Sequence, residues 1–182
     1  MGQFLFHKTN IEDLVVIEPQ VFGDSRGYFM ETYNYNDFKN TGLDMVFVQD
    51  NQSKSKKGVL RGLHFQTQFP QGKLVRVLSG EVFDVAVDLR KGSPTYKQWH
   101  GVLLSGENKK QFYVPEGFAH GFVVLSEEAE FVYKCTNYYH PEYESGILWN
   151  DPELNIDWKI KDVDVLLSEK DKKLKTLAEL GL

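Results

Sequence analysis

The stretch from Lys73 to Thr95 limits the possible folds more than any other. "KLVRVL" is followed by "SGE", then "VFDVAVDL", then the turn residues "RKGSPT". This reads as two strands joined by a tight turn. In the second strand Phe83, Val85, Val87 and Leu89 alternate with Asp84, Ala86 and Asp88, the period of a sheet with two different sides. Comparable runs recur at "WHGVLLS", "KQFYVP", "GFVVLS" and "AEFVYKCTNYY". Turn signals return about every 8–12 residues, as in a β-sandwich or barrel. Thirteen Phe and nine Tyr favour strands further. Helix is scarce: "NYNDFKNTG" is expected to make two turns ending at Gly42, and "SEKDKKLKTLAEL" to form a C-terminal helix. Ser168 is the expected N-cap of that helix, with Asp171 three residues on. The pattern selects a mainly β jelly roll with a few short helices.

No repeat, low-complexity tract or Pro/Ser-rich linker interrupts the 182 residues, so one domain over 1–182 is expected. The single cysteine, Cys135, rules out an intrachain disulfide framework and fits a reducing compartment. No apolar run reaches the ~20 residues of a membrane span, and "MGQFLFHKTNIEDL" lacks the features of a signal peptide. Its Met-Gly opening is no myristoylation signal, because Phe6 stands where Ser or Thr belongs. A cytoplasmic location is therefore expected, with no membrane partner. The formal charge of −5 argues against a nucleic-acid partner. It leaves room for a local pocket that takes one phosphorylated small molecule.

Within "GVLRGLHFQ", a run with the apolar content of a buried strand carries Arg61 and His64. In strict alternation two residues three apart point to opposite faces. Gly62 between them is where a bulge is tolerated, and a bulge would turn both toward one cavity. Further along, "PEGFAH" ends in His120 and resembles the second half of the cupin metal motif. The matching first half, "HFQTQFPQGK", offers one histidine and no acid. A three- or four-ligand site cannot be assembled from these motifs, so no metal is expected. The histidines remain as acid–base or binding groups. Lys73 at a strand start and Tyr133 amid strand residues add an ammonium and a phenol. Together these are the parts needed to move a proton next to a carbonyl. Each alone has a bland alternative: a solvated strand end for Lys73, a core aromatic for Tyr133, a surface ion pair for Arg26.

Over nearly its whole length the chain resembles the dTDP-4-dehydrorhamnose 3,5-epimerase family. The resemblance rests on "FGDSRGYFMETY", "QDNQSKSKKGVLRGLHFQ", "QGKLVRVLSGEVFDVAVDLRKGSPTY", "VPEGFAHGFVVLSEEAEFVYKCTNYYHPEYESGILWNDP" and "LSEKD". It implies a cupin-like jelly roll (a double-stranded β-helix) that forms a homodimer and works without cofactor or metal. The implied substrate is dTDP-4-keto-6-deoxyglucose, epimerised at carbons 3 and 5 through an enolate. His64 matches the general base, and an unperturbed imidazole titrates near neutral pH, at about 6.5. Tyr133 matches the proton donor, Lys73 a group near the keto oxygen, and Asp171 the partner of the histidine. Asp171 also sits where a helix cap would be, and both readings stay open. For substrate binding the resemblance carries over Arg26, Glu31, Gln49, Asn51, Arg61, Lys73, His120, Glu144 and Lys170. Arg26 and Arg61 are implied for the diphosphate. Tyr139 is implied for stacking on the base, with Tyr138 beside it as the alternative. An N-terminal strand crosses to the partner in this family, which would send Arg26 and Glu31 to the neighbouring site. A carbon-3 monoepimerase, a ketoisomerase and a non-catalytic sugar- or nucleotide-binding cupin are the alternatives, with a metal-dependent cupin dioxygenase a distant third.

Overall fold

In the computed structural model, which describes residues 3–161 and 163–182, two antiparallel sheets face each other across a common core. The Met-Gly opening lies outside the described residues. The strands run β1 (Phe4–Lys8), β2 (Val15–Pro19), β3 (Phe22–Asp24), β4 (Gly27–Phe29), β5 (Gln49–Lys56), β6 (Leu60–Gln66) and β7 (Lys73–Ser79). They continue with β8 (Glu81–Asp88), β9 (Trp99–Ser105), β10 (Gln111–Val114), β11 (Phe118–Val124), β12 (Glu128–Cys135) and β13 (Glu144–Gly146). One sheet has the order β1-β2-β10-β7-β12-β5, the other β13-β6-β11-β8-β9, and β3 and β4 form a separate hairpin. This is the mainly β jelly roll that the alternating runs predict.

The tight turn after β7 depends on Gly80. Its φ is +77°, and a Cβ there would fall 2.0 Å from the Glu128 carbonyl oxygen, so no other residue fits. The strand that follows, β8, is buried on both faces. Val82 and Ala86 meet Val75, Phe112 and Phe131 of the first sheet. Phe83, Val85 and Val87 pack under the C-terminal segment, against Leu154, Trp158 and Leu177. Asp84 and Asp88 share the inter-sheet side with Ala86, and both side chains are fully removed from solvent. A charge in that position must have a partner or shift its ionisation.

The short helix α1 (Tyr35–Lys39) begins at Asn34, whose side chain accepts from the backbone of Asn36 and Asp37. It delivers Phe38, fully buried, against Phe4, Phe6 and Tyr33 on the outer face of the first sheet. The expected C-terminal helix is broken up. Asp171–Lys173 is one 3₁₀ turn, and the helix proper, α2 (Leu177–Leu180), starts at Thr176 with a capping box to Glu179. Ser168 and Asp171 do exchange hydrogen bonds across three residues. The same local geometry serves a cap and a turn, and here it closes a turn, because the Asp171 carboxylate is engaged elsewhere. Among the described residues no helix is long and apolar enough to cross a membrane.

Candidate active site

At one end of the sandwich the two sheets part around a cavity of about 430 Å³. The five-stranded sheet contributes His64 from β6 and His120 from β11; the six-stranded sheet contributes Lys73 from β7 and Tyr133 from β12. Tyr139 and Glu144 line it as well. The walls carrying the histidines and the phenol are therefore opposite walls.

Gly62 explains how His64 reaches the cavity. Its φ is +128°, and a Cβ on it would lie 2.5 Å from the Gly121 Cα. Strands β6 and β11 approach closely here, and the register shifts, pairing Arg61 with Phe122 and His64 with His120. The expectation that the irregular step turns both Arg61 and His64 into one cavity holds for His64 alone. Arg61 is exposed, and its guanidinium donates to Ser55 Oγ at 3.2 and 3.3 Å. The reason is lateral: Arg61 reaches across to β5, whereas His64 faces the interior.

His64 Nε2 lies 2.5 Å from Asp171 Oδ1. Asp171 is buried and also accepts from the Ser168 hydroxyl at 2.9 Å. Burial alone would push this carboxyl up, but the His64 hydrogen bond and charge, with Ser168 and Lys170, hold it below the ordinary aspartate range. A carboxylate kept ionised beside Nε2 leaves Nδ1 as the free ring nitrogen.

The Tyr133 phenol is pushed above its usual range, chiefly by burial. Lys73, at the first position of β7, places its ammonium 5.9 Å from the Tyr133 ring centroid. Burial pulls the ammonium below the usual lysine range, while Cys135, Asp84 and Glu144 favour its charge. His120 is buried, stacked against Phe131, and its Nε2 lies 2.8 and 3.0 Å from the two oxygens of Asp84. At the rim the Tyr139 hydroxyl and the Lys170 ammonium both donate to Glu144 Oε2. The Glu144 contact raises the Tyr139 phenol to about 12. Tyr138 is more exposed and is not part of the cavity wall.

The remaining sequence candidates lie elsewhere in this chain. Gln49 donates to Asn51 and accepts the Tyr139 backbone N–H at 2.9 Å, so it supports the rim. Asn51 sits on β5 opposite Tyr133 and contacts Cys135 Sγ. Arg26 is at the tip of the β3–β4 hairpin, paired with Asp24 and 88% exposed. Glu31 follows the same hairpin, half-buried and outside the cavity wall. Sequence reasoning missed Asp84, although an acid on the inward side of a strand buried on both faces is itself a signal. It also missed Gln66, whose Nε2 donates to the Phe69 and Tyr138 carbonyls and whose Oε1 accepts the His140 N–H at 2.7 Å. That side chain ties the loops of the rim together. Among the described residues no three His, Cys, Asp or Glu side chains converge as metal ligands.

Comparison with known proteins gives a consistent result. The family model described as dTDP-4-dehydrorhamnose 3,5-epimerase matches residues 8–179. A dTDP-4-dehydrorhamnose 3,5-epimerase from Methanothermobacter thermautotrophicus is 58% identical over 180 residues, 98% of this chain and 97% of that protein. The crystal structure of an epimerase from Legionella pneumophila, in complex with dTDP-4-keto-L-rhamnose, superposes with a TM-score of 0.93. Its sequence is 56% identical, and the match covers 96% of this chain and 93% of that one. A 3'-monoepimerase from Streptomyces bikiniensis, in complex with dTDP-quinovose, has a TM-score of 0.89 at 35% identity, covering 97% and 91%.

Proposed function

The chain belongs to the dTDP-4-dehydrorhamnose 3,5-epimerase family, and on that premise we propose how its cavity performs the reaction. The activity is that of an isomerase. It converts dTDP-4-dehydro-6-deoxy-D-glucose to dTDP-4-dehydro-L-rhamnose by inverting carbons 3 and 5, a step in dTDP-L-rhamnose biosynthesis. The observation that carries the mechanism is that His64 and Tyr133 come from different sheets and line one cavity. Epimerisation needs this arrangement: one group removes a proton from one face of the sugar ring and another returns a proton from the other face.

His64 is the base, and Nδ1 is the nitrogen that takes the proton, since Nε2 is held by Asp171. Asp171 fixes the ring and favours the imidazolium that forms. The Lys73 ammonium stabilises the developing enolate oxygen, and low dielectric at this depth strengthens that attraction. Tyr133 is the proton donor; burial, which keeps its phenol protonated, suits that role. The residues of this chain supply all four parts, and no cofactor or metal is assigned. Tyr139 stacks on the base, His120 and Glu144 bind from the cavity wall with Lys170 beside Glu144, and Gln49 and Asn51 support the rim. Arg61, outside the cavity wall beside Ser55, takes the diphosphate.

The chain acts as one domain and as a homodimer in the cytoplasm, with no nucleic-acid or membrane partner. The β3–β4 hairpin exposes Phe22, Tyr28 and Phe29 together with Arg26, and such apolar exposure on a projecting arm suits a second copy of the chain. Docked there, Arg26 and Glu31 would serve the partner's diphosphate site.

The test is deuterium exchange followed by NMR, with dTDP-4-keto-6-deoxyglucose in deuterated water. Exchange at carbons 3 and 5 with inverted product is the expected result. Exchange at carbon 3 alone would make the chain a monoepimerase, and tight dTDP binding without any exchange would overturn the catalytic reading.

A further inference from the structure

The proposed mechanism leaves unused a buried carboxyl beside the cavity. Asp84 is fully removed from solvent on β8, and both its oxygens lie close to a single atom, His120 Nε2, at 2.8 and 3.0 Å. An ionised carboxylate can only accept, so near-equal distances to both oxygens fit one N–H directed between them. The His120 ring is also held from its face by Phe131, with 6.3 Å between ring centroids. Ring plane and ring rotation are thus both fixed, and Nδ1 is the nitrogen left for the cavity that His120 lines. Around it stand Lys73 from β7, Tyr133 from β12 and His64 from β6, its register partner.

We propose that Asp84 is a positioning residue that locks His120 in the Nε2–H form, so that Nδ1 accepts a hydrogen bond from a hydroxyl of the bound hexose. The hexose comes from the epimerase reading; the tautomer lock does not depend on it. Lys73, Tyr133 and an imidazolium His64 all bring hydrogen-bond donors to this space. Lys73 can only donate, and the Glu144 carboxylate is held at the rim by Tyr139 and Lys170, so a bare His120 Nδ1 supplies a fixed acceptor for that hydroxyl. A site built around such a contact discriminates by more than shape, because a mismatched ligand leaves a buried polar group unpaired. Burial works against the lock by pushing the Asp84 carboxyl up, and His120 and Lys73 counter it. A protonated Asp84 would donate to Nε2 and force the opposite tautomer, which makes the idea easy to break.

The experiment is long-range proton–nitrogen NMR of the intact enzyme carrying ¹⁵N-histidine, with His120→Gln used only to assign the resonance. Wild-type enzyme is expected to show His120 as the neutral Nε2–H form at pH 7. Asp84→Asn presents both a donor and an acceptor, so it is expected to mix the tautomers and to raise KM for the sugar nucleotide about tenfold, with a smaller effect on kcat. A wild-type His120 in the Nδ1–H or imidazolium form overturns the proposal, and that measurement stands even if the variant fails to fold. A folded variant with unchanged tautomer or unchanged KM overturns it too. An enzyme that turns over no sugar nucleotide sinks the epimerase reading instead, while the spectrum still decides on Asp84.

Discussion

Two histidine–carboxylate pairs border the same cavity, and their acids are displaced in opposite directions. Asp171 receives His64 and, in addition, the Ser168 hydroxyl, with Lys170 nearby, and stays below its ordinary range. Asp84 receives His120 alone, deep between the sheets, and burial lifts it. The difference lies in how many donors each carboxylate has against the desolvation it suffers. Asp171 is built to remain a charge, as the proposed role of His64 as a base requires of its partner. Asp84 is built to hold a ring still. A third acid completes the series, because Asp88 lies on the same strand and side as Asp84. It accepts from Arg90, Ser93 and Thr95, and although burial opposes ionisation its carboxyl falls to about 2.

The sharpest way to break the contrast is His64→Ala. Loss of the base is expected to lower kcat by about 10³, within the usual range for general-base catalysis. The dTDP dissociation constant, read by calorimetry, should hardly move. Turnover close to wild type would remove His64 from the mechanism. Asp171→Asn comes next, with a fall in kcat of roughly 10²-fold, smaller because it acts through the histidine. If that variant raised KM and left kcat alone, the two pairs would not differ in kind.

Asp88 tests the electrostatic half of the comparison through stability. Its folded-state value of about 2 lies below the ordinary 3.8. The stabilisation is therefore complete above about pH 5 and is lost as pH falls through about 2. Asp88→Asn is expected to cost on the order of 2 kcal/mol at pH 7, with turnover near normal. Denaturant melts at pH 7 and pH 2.5 should show the gap from wild type closing. A constant gap would mean the hydrogen bonds matter without the charge. The smallest effect separates the rim tyrosines: Tyr139→Ala should raise KM about tenfold by removing a stacking face, and Tyr138→Ala no more than about twofold. Equal effects would show that both rings touch the base.

Much of the architecture was legible in the sequence because period-two alternation is a local property. Residues Lys73–Ser79 and Glu81–Asp88 became strands with a glycine turn between them, as their pattern predicts. Also legible were the chemical types a proton-transfer site needs, and the structure brings the candidates His64, Lys73, His120 and Tyr133 to one cavity. What failed was directional or non-local. Ser168 with Asp171 looks the same in sequence whether it opens a helix or closes a turn, and the bond to His64, 107 residues away, fixes Asp171 in the turn. Gly62 announced an irregular step but not that Arg61 would leave the cavity for Ser55. Asp84 stands out in sequence only as an acid within an apolar strand; its partner was decided when β8 was covered on both faces and β11 brought His120 beside it. Sequence determined the strand pattern and the inventory of acids, bases and cations, since both depend on residue type and short spacing. The tertiary structure decided which carboxylate meets which histidine and how much water each keeps, because solvation and pairing are set by neighbours distant along the chain.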